Sequence, residues 1–175
     1  MELSRRIKLG WFAFGKLGFI LRNKNIPLHL KKKIFEVCIL PVLTYGLETM
    51  SLTKRSAQRL QVTQRAMERS MLGVSLRDKI RNETLRSKTK LTDVMHRVAK
   101  LKWQWTGHVA RQNIDRWPNK ITNWRPWGRK RKIGRPQKRW KDDIREISGR
   151  NWVGVAQDRD QWKLLEEYYI QKWMT

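Results

Sequence analysis

The sequence predicts an all-α protein. Apolar residues recur at three- and four-residue spacings in one segment after another, the period of a helix face. No segment alternates apolar and polar residues as a half-buried strand does, and residues 42–45 are too short a run to count. Proline, glycine and hydroxyl or carboxamide residues stand where helices of ordinary length would begin and end. No repeat with a period of about 20–50 residues is present.

Leu3, Ile7, Trp11, Phe14, Gly18 and Leu21 share one face of a first helix. Asn25 and Pro27 break it, and Pro27 suits the start of a second helix over 28–45. Lys31, Lys32 and Lys33 fall in the first turns of that helix. Cations are unfavourable near the positive end of a helix dipole, so these lysines are expected to serve something outside the helix. Pro41 should kink or end the segment, with Gly46 at its exit. A third helix runs from an N-cap at Thr53 to Leu72, with Gly73 beyond its end and a stripe of Leu60, Gln64, Met67 and Met71. Residues 75–78 cap a short turn, and Asn82 caps a short helix holding Leu85.

The fourth long helix begins at Thr92, with Asp93 in its first turn. Val94, Val98, Leu101, Trp105 and His108 make its face, with Trp103 roughly opposite; His108 is expected as a satisfied core histidine. Residues 115–124 form a short helix that tolerates Pro118 in its first turn. From Gln137 a helix buries Trp140, Ile144 and Ile147 and stops at Gly149. A last helix after Asn151 stacks Trp152, Val155, Trp162, Leu165, Tyr169 and Trp173 on one side. The organisation read from this pattern is a helical unit over 1–111, a basic, tryptophan-rich linker over 112–136, and a C-terminal helical pair over 137–175.

Of 175 residues, 40 are Lys or Arg and 15 are Asp or Glu, a formal charge of +25. The excess is uneven: residues 142–175 carry a net −2 and residues 1–141 a net +27. A cationic face of that size implies a polyanion as partner, nucleic acid first, an anionic membrane surface or acidic protein after it. The apolar fraction is 39%, low for this length, and ten tryptophans make up part of the missing core.

Several classes of function are disfavoured. The lone Cys38 lies in an apolar run and is expected as a buried, inert thiol; one cysteine excludes an intrachain disulfide and cysteine-based zinc sites. The best apolar stretch, 10–21, is too short to cross a bilayer and is interrupted by Lys16. An intracellular location, nuclear or cytoplasmic, is expected. His29, His96 and His108 are too scattered for a metal triad, the last two lying roughly 18 Å apart along one helix. Asp142 and Asp143 diverge by about 100° on a helix, and with Asp158 and Asp160 read as charges at helix starts. No catalytic residue, metal, cofactor or small-molecule substrate is expected, and the chain by itself is not read as an enzyme.

The strongest signal is residues 116–141, with eleven Lys or Arg, no Asp or Glu and four Trp. Proline, glycine and dense charge without a period read as an exposed, mobile loop over 124–136. Lys and Arg neutralise phosphates and release condensed counterions, and indoles can stack on unpaired bases. The candidate contacts are Arg125, Arg129, Lys130, Arg131, Lys132, Arg135, Lys138 and Arg139, with Lys31, Lys32 and Lys33 as a second patch. The expected partner is RNA or DNA, held through its phosphate backbone.

Four segments add specificity: Ile39-Leu40-Pro41-Val42-Leu43-Thr44-Tyr45-Gly46-Leu47-Glu48-Thr49, Met71-Leu72-Gly73-Val74-Ser75-Leu76-Arg77-Asp78, Leu101-Lys102-Trp103-Gln104-Trp105-Thr106-Gly107-His108-Val109-Ala110-Arg111, and Gly134-Arg135-Pro136-Gln137-Lys138-Arg139-Trp140-Lys141-Asp142-Asp143-Ile144. Asn151-Trp152, Ala156-Gln157-Asp158-Arg159 and Trp162 continue the series. In this order they resemble the C-terminal part of non-LTR, LINE-type retrotransposon endonuclease–reverse transcriptases. The resemblance implies a helical thumb that grips template–primer, here 1–111, followed by a basic extension. It also implies a reverse transcriptase fragment without polymerase chemistry, because the paired aspartates of a Tyr/Phe-Ala-Asp-Asp motif do not occur in the sequence. Beside it stand two other readings, a domesticated DNA- or RNA-binding protein and an inert transposon remnant or truncated gene.

Overall fold

A computed structural model describes residues 2–124, 134 and 138–174. The fold is all-α: the described residues are helices joined by turns and short loops, with no strand among them. By compactness the chain divides into two units, residues 1–47 with 53–98, and residues 48–52 with 99–175. The division falls inside one helix, after residue 98.

In the first unit, α1 (Glu2–Lys16) and the short α2 (Gly18–Leu21) precede α3 (Leu28–Ile34). The helix after α3 is not regular. A π-helical turn, Phe35–Ile39, leads into α4 (Leu40–Thr44). Pro41 explains it: the ring has no N–H to give and crowds the carbonyl four residues back, and the wider π turn absorbs the mismatch without ending the helix. The register change keeps Phe35, Ile39, Leu40 and Leu43 all buried. Against them α1 comes so near that a Cβ on Gly10 would stand 2.2 Å from Leu43 Cδ2.

Helix α5 (Lys54–Leu72) has the boundaries its sequence predicts. Thr53 accepts from the Ser56 N–H at 3.1 Å in a reciprocal capping box, and Gly73 takes the left-handed turn at φ 69°. Its stripe of Leu60, Gln64, Met67 and Met71 is buried as expected. Gln64 is at home there because its Nε2 donates to the Thr92 carbonyl at 2.9 Å and its Oε1 accepts from the Val94 N–H at 2.8 Å. Ser75 and Asp78 form the expected cap of a short 3-10 turn, Leu76–Asp78. Asn82 does not cap: it is the first residue of α6 (Asn82–Thr89), and its Oδ1 accepts from Arg69 Nη2 at 2.7 Å. Arg65 and Arg86 both grip the buried Asp93, and Arg65 also bonds Glu68. Burial opposes the Asp93 charge, but Arg86, the Met95 N–H and Arg65 outweigh it and lower its pKa; for Glu68 burial wins and raises it.

Helix α7 (Val94–Arg111) starts two residues later than expected, with Asp93 as its cap: Asp93 Oδ1 accepts from the Met95 N–H at 2.8 Å. In the second unit it packs with α9 (Asp142–Ser148), α10 (Trp152–Val155) and α11 (Arg159–Met174), while α8 (Trp117–Asn123) follows its C-terminal end. The single last helix expected after residue 151 is two helices. Asp158 divides them by accepting from the N–H groups of Asp160 and Gln161 at 2.9 and 3.0 Å, which starts α11.

The face of α7 differs most from its sequence reading. Trp103 is fully buried, Trp105 half-buried, and His108 is exposed and bonded to Gln112 at 2.8 Å, so it is no core histidine. Lys102, at 0% exposure, lies on the buried side. Its Nζ donates to Asp143 Oδ2 at 2.7 Å, and the Tyr169 hydroxyl donates to the same oxygen at 2.9 Å. Asp143 is therefore the carboxylate of a buried triad, not merely a charge at a helix start. Asp142 does serve the helix start, accepting from the Arg139 N–H at 2.7 Å. Cys38 is another departure: it is exposed on the π turn.

Candidate nucleic-acid interface

The second unit holds a groove of about 560 Å³ lined by residues of α7, α8 and the approach to α9. Two asparagines and a lysine build its frame. Asn119 on α8 donates to the carbonyls of Gln112 and Asn113 at 3.0 and 3.1 Å, which ties α8 to the end of α7. Lys141 Nζ donates to Asn123 Oδ1 at 2.8 Å, which brings residues 139–141 alongside the end of α8. Trp140 is fixed by its indole N–H, which donates to the Glu48 carbonyl at 2.7 Å.

The lining is aromatic and aliphatic. Trp105 and Val109 come from α7, Trp117, Pro118 and Ile121 from α8, then Trp124 and Trp140. Trp117, Ile121 and Trp124 are 76%, 66% and 69% exposed, so these large apolar side chains face solvent. Arg139 supplies positive charge in the same groove, where Lys141 is buried and bonded to Asn123, and Arg116 and Lys120 are exposed on and beside α8. An apolar floor with cations at its edge is the arrangement by which proteins hold unpaired bases and their phosphates. The groove has a signal in the sequence: residues 117, 121 and 124 follow the spacing of a helical stripe, within a stretch dominated by charge.

The sequence-predicted contacts are distributed as follows. Arg125, Arg129, Lys130, Arg131, Lys132 and Arg135 lie outside the described residues, as does most of the stretch read as a mobile loop. Arg139 lines the groove. Lys138 is exposed and pairs with Glu146 at 3.0 Å. In the first unit, Lys33 is exposed and Lys32 lies 3.9 Å from Glu36. Lys31 is buried, at 4% exposure, and donates to the Met71 carbonyl at 3.0 Å. It therefore does not share an open patch with its two neighbours, because a helix turns successive side chains apart by about 100°. No group of three His, Cys, Asp or Glu that could hold a metal occurs among the described residues. No helix among them is long and apolar enough to cross a membrane.

Several residues of the resembling segments are structural. Trp103 and Trp162 each donate the indole N–H to the other's backbone carbonyl, at 2.8 and 3.2 Å, with rings stacked 4.0 Å apart. Arg111 Nη1 donates to the Ala156 carbonyl at 2.7 Å and Gln157 Nε2 to the Ala110 carbonyl at 3.1 Å. Residues 103–111 and 152–162, far apart in sequence, thus belong to one core of the second unit.

No family model matches the chain, and no solved structure matches it. The chain is similar to a Caenorhabditis elegans protein described as transposon-derived and uncharacterized, at 33% identity over 177 residues. The match covers 92% of this chain and 62% of that relative, so the chain spans somewhat under two thirds of the relative's length. This likeness supports an origin in a transposon.

Proposed function

We propose that the chain binds single-stranded RNA or DNA, with its cations on the phosphate backbone and unpaired bases against the groove of the second unit. One observation carries the reading. Trp117, Ile121 and Trp124 present exposed apolar surface beside Arg139. Residues 116–141, which contribute most of that lining, hold eleven cations and no acid. Indoles left in water are an expense that stacked bases would remove, and the cations provide the charge the phosphates need.

In this proposal the chain corresponds to the thumb and post-thumb part of a non-LTR retrotransposon reverse transcriptase and contributes grip, not polymerase chemistry. The residues that support the correspondence are those of the four quoted segments; no catalytic residue, metal or cofactor is assigned.

The test compares single-stranded and duplex oligonucleotides of one sequence by fluorescence anisotropy. Trp117→Ala with Trp124→Ala should weaken single-strand binding by about 1–3 kcal/mol per stacked base and leave duplex binding nearly unchanged. Equal losses on both substrates, or none on either, would remove the bases from the groove.

A further inference from the structure

The first unit has a second cavity, of about 350 Å³, at the C-terminal end of α5. Arg22, Lys24 and Lys31 line it, and no Asp or Glu does. Arg22 Nε donates to Ser70 Oγ at 3.2 Å, and Lys24 Cε lies 3.9 Å from where a Cβ on Gly73 would stand. Lys31 Nζ donates to the Met71 carbonyl at 3.0 Å. All three cations thus gather around residues 70–73.

Part of this arrangement serves the helix. The carbonyls of Arg69 and Ser70 are already met by the N–H groups of Val74 and Gly73, at 3.0 and 3.3 Å, and Lys31 takes the Met71 carbonyl. A helix C-terminus, however, carries only about half a negative charge. Three cations exceed it several-fold, and the ammonium of Lys31 is buried with a carbonyl, not a carboxylate, as its acceptor. An ammonium has three N–H groups, so two remain available to an anion. Burial without a counter-charge lowers the Lys31 pKa, a cost that an anion in the cavity would reverse.

We infer that this cavity is a phosphate site, in which Lys31 supplies the buried contact and Arg22 and Lys24 the exposed ones. The natural source is a phosphate of bound nucleic acid, which makes this inference rest on the proposed function; a free phosphate would satisfy the same chemistry. The site also gives Lys31 the outward role its position in α3 suggested, by a different route from an open lysine patch.

The experiment uses the full chain, the Lys24→Gln variant, the Arg22→Gln/Lys24→Gln variant and the Arg129→Ala/Lys130→Ala/Arg131→Ala/Lys132→Ala variant. Arg22 and Lys24 are exposed, so their replacement should leave the fold intact, as checked by circular dichroism. Amide NMR spectra are recorded with inorganic phosphate and with a single-stranded oligonucleotide. Phosphate should shift the Lys31 and Gly73 amides in the full chain, and weakly or not at all in the Arg22→Gln/Lys24→Gln variant. The oligonucleotide should shift the same amides, and that variant should lower the salt slope of its binding by about 0.7–0.9, one phosphate contact. Shifts with phosphate alone would keep the site and assign it to a free phosphate. No shift with either ligand would overturn the inference and leave the three cations as caps of α5. If the oligonucleotide fails to bind the full chain at all while phosphate still shifts these amides, the proposed function falls and the site stands.

Discussion

Trp103 and Trp162 are joined twice, each indole N–H reaching the other's main-chain carbonyl, and their rings lie 11° from parallel. Each buried indole satisfies its polar atom while the ring surfaces cover one another, which contributes about 0.5–1.5 kcal/mol beyond burial. Gly107, one turn beyond Trp103, makes room for this: a Cβ there would lie 2.5 Å from Trp162 Nε1. Gly107→Ala should therefore displace a rigid, hydrogen-bonded ring and destabilise the second unit by about 1–3 kcal/mol. Denaturant melts followed by tryptophan fluorescence measure it; an unchanged midpoint would mean that the ring shifts at no cost.

Lys102 and Asp143 form an ion pair with both partners almost wholly buried, at 0% and 4% side-chain exposure. Removing one partner strands the other charge, so Lys102→Ala should destabilise by about 3–5 kcal/mol. Replacing both, as Lys102→Met with Asp143→Leu, should cost much less, since neither charge is then left alone. A double-mutant cycle in urea decides; a double variant as unstable as the sum of the singles would contradict the pairing.

Burial, with the Asp143 charge and hydrogen bond, raises the Tyr169 pKa well above the usual phenol range. An unfolded tyrosine loses its proton near pH 10, while the folded one keeps it. The unfolded state then binds fewer protons, so the Tyr169 contribution is fully present below about pH 10 and falls as pH rises beyond it. Burial lowers the Lys102 pKa, which gives the opposite slope below the pKa of an unfolded lysine. The difference between the native chain and Tyr169→Phe isolates the tyrosine: the variant should lose stability less steeply above pH 10. Parallel slopes would show that Tyr169 ionises in the folded protein.

Cys38 is exposed on the π turn, contrary to its expected burial. The native protein should react with a small thiol reagent at neutral pH as fast as the urea-unfolded chain, within a few-fold. Labelling that requires denaturant would place the thiol inside.

Some of this fold was plain in the sequence and some was not, for identifiable reasons. The ends of α5 were legible because Thr53, Ser56 and Gly73 act within a turn of the chain. The face of α7 is not given by its apolar residues alone. Its buried side includes Lys102 and Thr106, made tolerable by Asp143 and by the Lys102 carbonyl, to which the Thr106 hydroxyl donates at 2.7 Å. Such partners lie a turn or a whole helix away and leave no local signature. The division of Asn82 from its expected capping role has the same origin, since Arg69 lies thirteen residues before it. The groove was half legible: its tryptophans stood out by composition, but their meeting depends on Asn119 and Lys141, which nothing in the charge pattern distinguishes.

The proposal that this chain grips nucleic acid through its phosphates is tested most directly by the salt dependence of single-strand binding. Affinity for a labelled single-stranded RNA or DNA is measured across a range of salt for the full chain and for the Arg129→Ala/Lys130→Ala/Arg131→Ala/Lys132→Ala variant. The full chain should bind with a steep negative slope of log K against log salt, and the variant should lose about 0.7–0.9 of slope for each phosphate contact removed. No binding by the full chain, or an identical slope and affinity in the variant, would contradict it.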